Sequence, residues 1–380
     1  MTDVFIVSDN ILSPLGSTSA ENFACLKKGR SGIKQNKNAA VSEQSFYGSL
    51  FEPDVIFLNE DNNGAYTKFE QMLIASISDA LTNSGVDAAD KRTVLIISTT
   101  KGNISLLETG SAGQQLKDRV ALPHSATLIG EYFNFINRPV VVSNACISGL
   151  LALLTGLRLI QSGQYDHAVV AGADVISEFV ASGFSSFQAI SQEPCKPFDA
   201  ERNGLNLGEG AGTIILSTKK RTEGNVIKLA GGSVSNDANH ISGPSRTGEE
   251  LYQAIKTAIH SAGLAAADID FISAHGTATM YNDEMEAKAI MLAGLESVPV
   301  NSLKGYYGHT LGAAGLIECI ISCHSLRENL ILPTMGFEKH GVSKPINICR
   351  TLQTGTYKNC LKTASGFGGC NAAVVMSKQW

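Results

Sequence analysis

The chain has 380 residues, 43% of them hydrophobic, enough to bury a large core in one big domain or two modest ones. Its formal net charge of −5 and sequence pI of about 5.9 give no general attraction to nucleic acid or anionic lipid. No apolar run reaches the roughly 20 residues of a membrane span, and the start, Met1-Thr2-Asp3-Val4-Phe5-Ile6-Val7, carries neither a basic segment nor a cleavage site, so a cytoplasmic protein is expected.

In chain order, short β-branched runs fall at Val4 to Val7, Val94 to Ile97, Val140 to Val142, Ala168 to Val170 and Thr213 to Leu216, with longer helical patterns between them. The second half repeats the theme. Strands are predicted at Val226 to Leu229, Phe271 to Ala274, Val298 to Val300 and Ala372 to Met376, and helices at Gly248 to Gly263, from Asp283, and at Gly312 to Asn329. Such alternation predicts an α/β layered fold of two similar halves, 1–220 and 221–380. They meet in a basic turn, Thr218 to Gly224, with no flexible linker between them.

Eight cysteines stand at 25, 146, 195, 319, 323, 349, 360 and 370 without a C-x-x-C pair, which argues against a disulfide framework and a structural zinc site. Cys319 and Cys323 share a helical face and read as core packing. The strongest local signal is Val140-Val141-Val142-Ser143-Asn144-Ala145-Cys146-Ile147-Ser148-Gly149, a strand turning into a helix at Cys146. Unpaired N–H groups and the macrodipole at a helix start favour a thiolate and can receive an oxyanion. That segment alone also fits an ordinary buried thiol.

Two histidines follow strands in glycine-containing loops. His275 lies in Ala274-His275-Gly276-Thr277-Ala278-Thr279, and His309 in Lys304-Gly305-Tyr306-Tyr307-Gly308-His309. Loops after strands are where catalytic polar groups are commonly held. Asp283 and Glu286, three apart, read as a capping box opening the next helix. Cys146, His275 and His309 lack any compact spacing, so no metal is expected. The glycine runs Gly208-Glu209-Gly210-Ala211-Gly212 and Ser365-Gly366-Phe367-Gly368-Gly369 are not placed between strand and helix as a dinucleotide fingerprint requires, and read instead as points of close backbone approach.

In order, these segments resemble the β-ketoacyl-acyl-carrier-protein synthases, the elongating condensing enzymes of the thiolase-fold superfamily. The resemblance runs from Ile11-Leu12-Ser13-Pro14-Leu15-Gly16 and Gly29-Arg30-Ser31-Gly32-Ile33 through the cysteine elbow and Pro197-Phe198-Asp199 to Leu207-Gly208-Glu209-Gly210. It continues through His275-Gly276-Thr277 and Lys304 with His309 to the terminal Gly366-Phe367-Gly368-Gly369. It implies a thiolase-like fold with layers α-β-α-β-α, the cysteine in the first half and both histidines in the second.

The implied reaction is decarboxylative Claisen condensation of an acyl-cysteine with malonyl-acyl carrier protein, in fatty acid, polyketide or polyene synthesis. By resemblance, Cys146 takes the acyl group, the N–H groups of Cys146 and Phe367 form the oxyanion hole, and His275 and His309 bind the malonyl thioester oxygen. Lys304 is organised with Glu318, and Glu286 supports the site. Thr277 and Thr279 hold the pantetheine arm, while Phe367, Gly368 and Gly369 form a gate. No cofactor is implied, since phosphopantetheine arrives on the carrier. The implied partners are acyl carrier protein, malonyl and acyl thioesters, and a second subunit in a homodimer or a heterodimer with a related ketosynthase-like chain. Asn144 stands where threonine is common, and Ser365 where an aromatic is common, implying a less crowded pocket mouth. The alternatives are a non-catalytic or chain-length-determining partner subunit, an initiating condensing enzyme or thiolase, and an acyl-binding module; retention of Cys146, His275 and His309 argues against the first.

Overall fold

The computed structural model describes residues 2–38, 41–58, 65–109, 113–220, 225–238 and 243–379. Of the basic turn at 218–224, residues 221–224 therefore lie outside the described residues. Ten strands join in one sheet: β1 Phe5–Leu12, β2 Thr93–Ser98, β3 Val140–Val142, β4 His167–Asp174, β5 Gly210–Ser217, β6 Val226–Asn236, β7 Phe271–Ser273, β8 Val300–Asn301, β9 Asn359–Gly366 and β10 Cys370–Gln379. Their spatial order is β8-β7-β9-β10-β6 followed by β1-β5-β4-β2-β3.

Counted outward from the junction, each set of five has its first, fifth, fourth, second and third strand in the same succession, and the ladders match. The first, fifth and fourth pair antiparallel, and the fourth, second and third pair parallel. The two sets are joined edge to edge, with Phe5 laddered to Lys228 and Ile6 to Ile227. The chain thus folds the same unit twice.

Seven helices position the site: α1 Lys68–Thr82, α2 Ser148–Gln161, α3 Glu178–Ser186, α4 Glu249–Ser261, α5 Met280–Leu292, α6 Lys304–Tyr307 and α7 Ala314–Glu328. Helix α1 covers the outer face of the first set and α4, with α5 against it, that of the second, while α2 and α7 lie between the sets and touch strands of both. The layers are therefore α-β-α-β-α, as expected. Strands such as Thr93-Val94-Leu95-Ile96-Ile97-Ser98 read as unbroken apolar runs because helices cover both faces. The central helices meet backbone to backbone: a methyl on Gly149 would stand 2.9 Å from the Leu316 nitrogen, and one on Gly315 2.8 Å from the Leu150 nitrogen.

Strand β9 is not among the strands expected from sequence; Lys362, Thr363 and Ser365 interrupt its apolar pattern. Helix α5 starts at Met280 rather than Asp283, with Thr279 at its N-cap. No helix among the described residues is long and apolar enough to cross a membrane.

Candidate active site

The elbow after β3 is held by Ser148, whose hydroxyl donates to the Ala145 carbonyl (2.6 Å) and accepts from the Asn144 amide (2.8 Å). Ala145 sits at φ 43°, a left-handed conformation costly for a residue with a Cβ and of the kind that collects at functional sites. Cys146 stands two residues ahead of α2, with Ile147 as the N-cap, rather than on its first turn. Its side chain is buried, and burial pushes the thiol up to about 12. The resting group at neutral pH is therefore the thiol, not the thiolate expected at a helix start, because burial penalises the charged form.

His275 and His309 are buried at the ends of β7 and of the short helix α6. Their rings lie nearly perpendicular with centroids 5.2 Å apart. The Cys146 sulfur and one ring nitrogen of each histidine all lie within 4.8 Å of one another. Wide separation in sequence does not keep these three apart, because the two folded units place their parallel strand ends face to face. The Nδ1 atoms of both rings lack a hydrogen-bond partner among the described residues. Burial, and next the Lys304 ammonium, hold both imidazoles well below the usual histidine range, leaving them neutral.

Glu286 and Asp283 do not form the capping box read from their spacing, because α5 begins one turn earlier and both carboxylates turn back to the histidine loop. Glu286 accepts from the His275 and Gly276 amides, each at 2.8 Å, and from the Thr363 hydroxyl at 2.6 Å. Asp283 accepts from the Thr277 amide (2.9 Å) and the Phe198 amide (2.7 Å), and burial raises its carboxyl to about 6. His309 is fixed through its amide, which donates to the Asn206 carbonyl at 2.7 Å. Lys304, fully buried, is ion-paired with Glu318, as the resemblance implies. The sequence reading missed Lys362 on β9, which reaches the other Glu318 oxygen at 2.7 Å. A lone cation between Cys360-Leu361 and Thr363-Ala364 was the available signal.

The three side chains open into a cavity of about 490 Å³ also lined by Thr277, Thr279 and Phe367. The Thr277 and Thr279 hydroxyls are 2.8 Å apart. A methyl on Gly366 would stand 3.0 Å from the Cys146 nitrogen, so the backbone entering Phe367 lies against the Cys146 amide. Gly368 and Gly369 both have positive φ, and a Cβ on Gly369 would collide with the Asp237 carbonyl. The mouth is more crowded than Ser365 suggested. Ser365 turns to Asn371, while Phe184 and Phe187 of the α3 region lie on Phe367, with centroids at 5.8 and 5.1 Å.

Comparison with known proteins agrees with this geometry. The family model for the beta-ketoacyl synthase N-terminal domain matches residues 1–222, and that for its C-terminal domain matches 227–338. The 3-oxoacyl-[acyl-carrier-protein] synthase 2 of Vibrio cholerae is 28% identical over 99% of this chain and 99% of its own. Its namesake in Rhizobium meliloti is 34% identical over 62% of this chain and 60% of its own. Among solved structures, the ishigamide ketosynthase/chain length factor superposes with a TM-score of 0.89 at 25% identity, covering all of both chains. With two matching domains laid end to end and the shared five-layer architecture, the chain belongs to the beta-ketoacyl synthase family of the thiolase-like fold.

Proposed function

We propose that the protein is a 3-oxoacyl-acyl-carrier-protein synthase, an acyltransferase that lengthens a carrier-bound chain by decarboxylative Claisen condensation. The observation that carries this reading is the meeting of the Cys146 sulfur with one nitrogen each of His275 and His309 within 4.8 Å, at a cavity. In the first step the sulfur attacks the thioester carbonyl of an acyl carrier, its proton passes to a neutral imidazole, and the carrier thiolate leaves and recovers that proton. Either ring can accept the proton. The amides of Cys146 and Phe367 stabilise the tetrahedral oxyanion.

In the second step malonyl thioester enters along Thr277 and Thr279. Both imidazoles donate to its thioester oxygen, carbon dioxide departs leaving its bonding electrons in an enolate, and the enolate carbon attacks the acyl-cysteine, releasing the sulfur. Lys304 and Glu318 hold the imidazole pair, Glu286 fixes the His275 backbone, and Phe367 with Gly368 and Gly369 gates the mouth. The chemistry needs no cofactor beyond the phosphopantetheine that the carrier brings. The reading places 1–220 as the thiol-bearing half and 221–380 as the imidazole-bearing half. Its partners are an acyl carrier protein and a second ketosynthase-like subunit, for which the ishigamide ketosynthase/chain length factor is the precedent.

That precedent also favours a second reading, a chain-length-determining partner without activity of its own. One experiment separates them. Incubated with acyl-carrier thioesters of short and long chains, the protein should gain one acyl mass by intact-protein mass spectrometry, and Cys146→Ala should gain none. No adduct on the wild type with any chain would favour the inactive partner.

A further inference from the structure

Lys362 is 0% exposed on β9, behind the histidine loop. Its ammonium donates to the Ser273 and Ala274 carbonyls, each at 3.1 Å, and to the Thr363 carbonyl at 2.7 Å, and is paired with Glu318 at 2.7 Å. Lys304 takes the other oxygen of the same carboxylate. Two buried cations thus share one anion, an arrangement that costs desolvation energy without a second carboxylate to offset it. The next residue, Thr363, donates to Glu286, which in turn receives the His275 and Gly276 amides. Two adjacent residues of β9 therefore grip the His275 loop from both sides.

We propose that Lys362 is a positioning residue for the condensation: it pins the carbonyls that precede His275 and, sharing Glu318 with Lys304, sets a second buried cation behind the imidazole pair. This rests on the condensing reading above. The charged and titratable groups facing the rings are Lys304 from α6, Lys362 from β9, Glu318 from α7, Glu286 from α5, Cys146 from the elbow, and each other. Glu318 is divided between the lysines and Glu286 is engaged by neutral donors; burial acts most strongly to keep the rings uncharged, and the Lys304 and Lys362 ammonium groups add to it in the same sense. A neutral ring can accept the thiol proton; a protonated one cannot.

The test is Lys362→Met, which keeps the volume and leaves Lys304 and Glu318 as a one-to-one pair. Histidine-labelled protein would be titrated by NMR, with the two rings assigned through His275→Asn and His309→Asn. In the wild type both rings should remain neutral well below pH 6.5, the unperturbed value. In Lys362→Met both titrations should move upward, and the pH at which acylation falls off should rise with them, about tenfold in proton concentration for a one-unit shift. Lys362→Arg, which restores the charge, should titrate like the wild type. Unchanged ring titrations in folded Lys362→Met would overturn the proposal. If that variant does not fold, the wild-type rings decide, and their titration at about 6.5 overturns it. The titration does not depend on turnover, so absence of an acyl adduct sinks the condensing reading while the NMR result still judges Lys362.

Discussion

The two folded units share strand order and ladder directions, yet their corresponding strand ends carry opposite chemistry. After β2 come Thr99 and Thr100, whose hydroxyls, with the Thr100 amide, are spent on the buried Asp174 carboxylate; after β7, its counterpart, comes His275. After β3 the chain bends into Cys146 ahead of α2; after β8 it delivers Lys304 and then His309 ahead of α7. The first unit supplies a buried thiol, and the second supplies imidazoles backed by buried cations. Topology decides which strand ends meet, and the residue at each end decides what the meeting can do.

The division of labour is tested most severely by His309→Ala. Acylation of Cys146 should persist, because His275 can still take the proton, while malonyl decarboxylation should fall on the order of 100-fold. Equal loss of both steps in separate assays would break the division. The joint between the units is probed by Gly315→Ala, whose new methyl meets the Leu150 backbone; denaturant unfolding should show a loss of about 2 kcal/mol. An unaltered midpoint would mean the helices separate freely.

A smaller effect comes from pH. Both rings have lowered values when folded, so below about pH 6.5 the unfolded chain takes up protons that the folded form refuses, and stability falls as pH falls. Asp283, raised to about 6, acts in the opposite sense, so the informative quantity is the difference between wild type and His309→Asn. That difference should change by about 1.4 kcal/mol per pH unit below 6.5. Smallest is Phe187→Ala: this ring is 54% exposed, so stability should stay within about 0.5 kcal/mol. Freed of one ring, Phe367 should admit acyl carriers a few-fold faster in a mass-spectrometric time course, and slower acylation would show that Phe187 guides substrate rather than holding the gate.

Much of this arrangement is legible in the residues themselves. The Val140-Val141-Val142 run ahead of Cys146 marks the elbow, and histidine after a short apolar strand marks the loops. What misleads is reach. Asp283 and Glu286 have capping-box spacing, but which amides a carboxylate serves depends on where α5 begins, and Met280 opens it early. Lys362 reads as a solvent-facing interruption because no local pattern reveals that β10, β7 and α7 enclose its strand. Phe184 and Phe187, three apart, have the spacing of an ordinary core-facing helix edge, and only the fold of the Phe367 turn makes them its neighbours.

The glycine contact between the central helices has a further consequence. At Gly149 and Gly315 each helix approaches the backbone of the other so closely that neither glycine can be exchanged for a larger residue without a shift. The spacing between the two central helices is thus set largely by main chain. The aromatic rim is built of replaceable side chains and carries no such constraint, so descendants of this scaffold can reshape what enters while inheriting an unaltered joint between the two units.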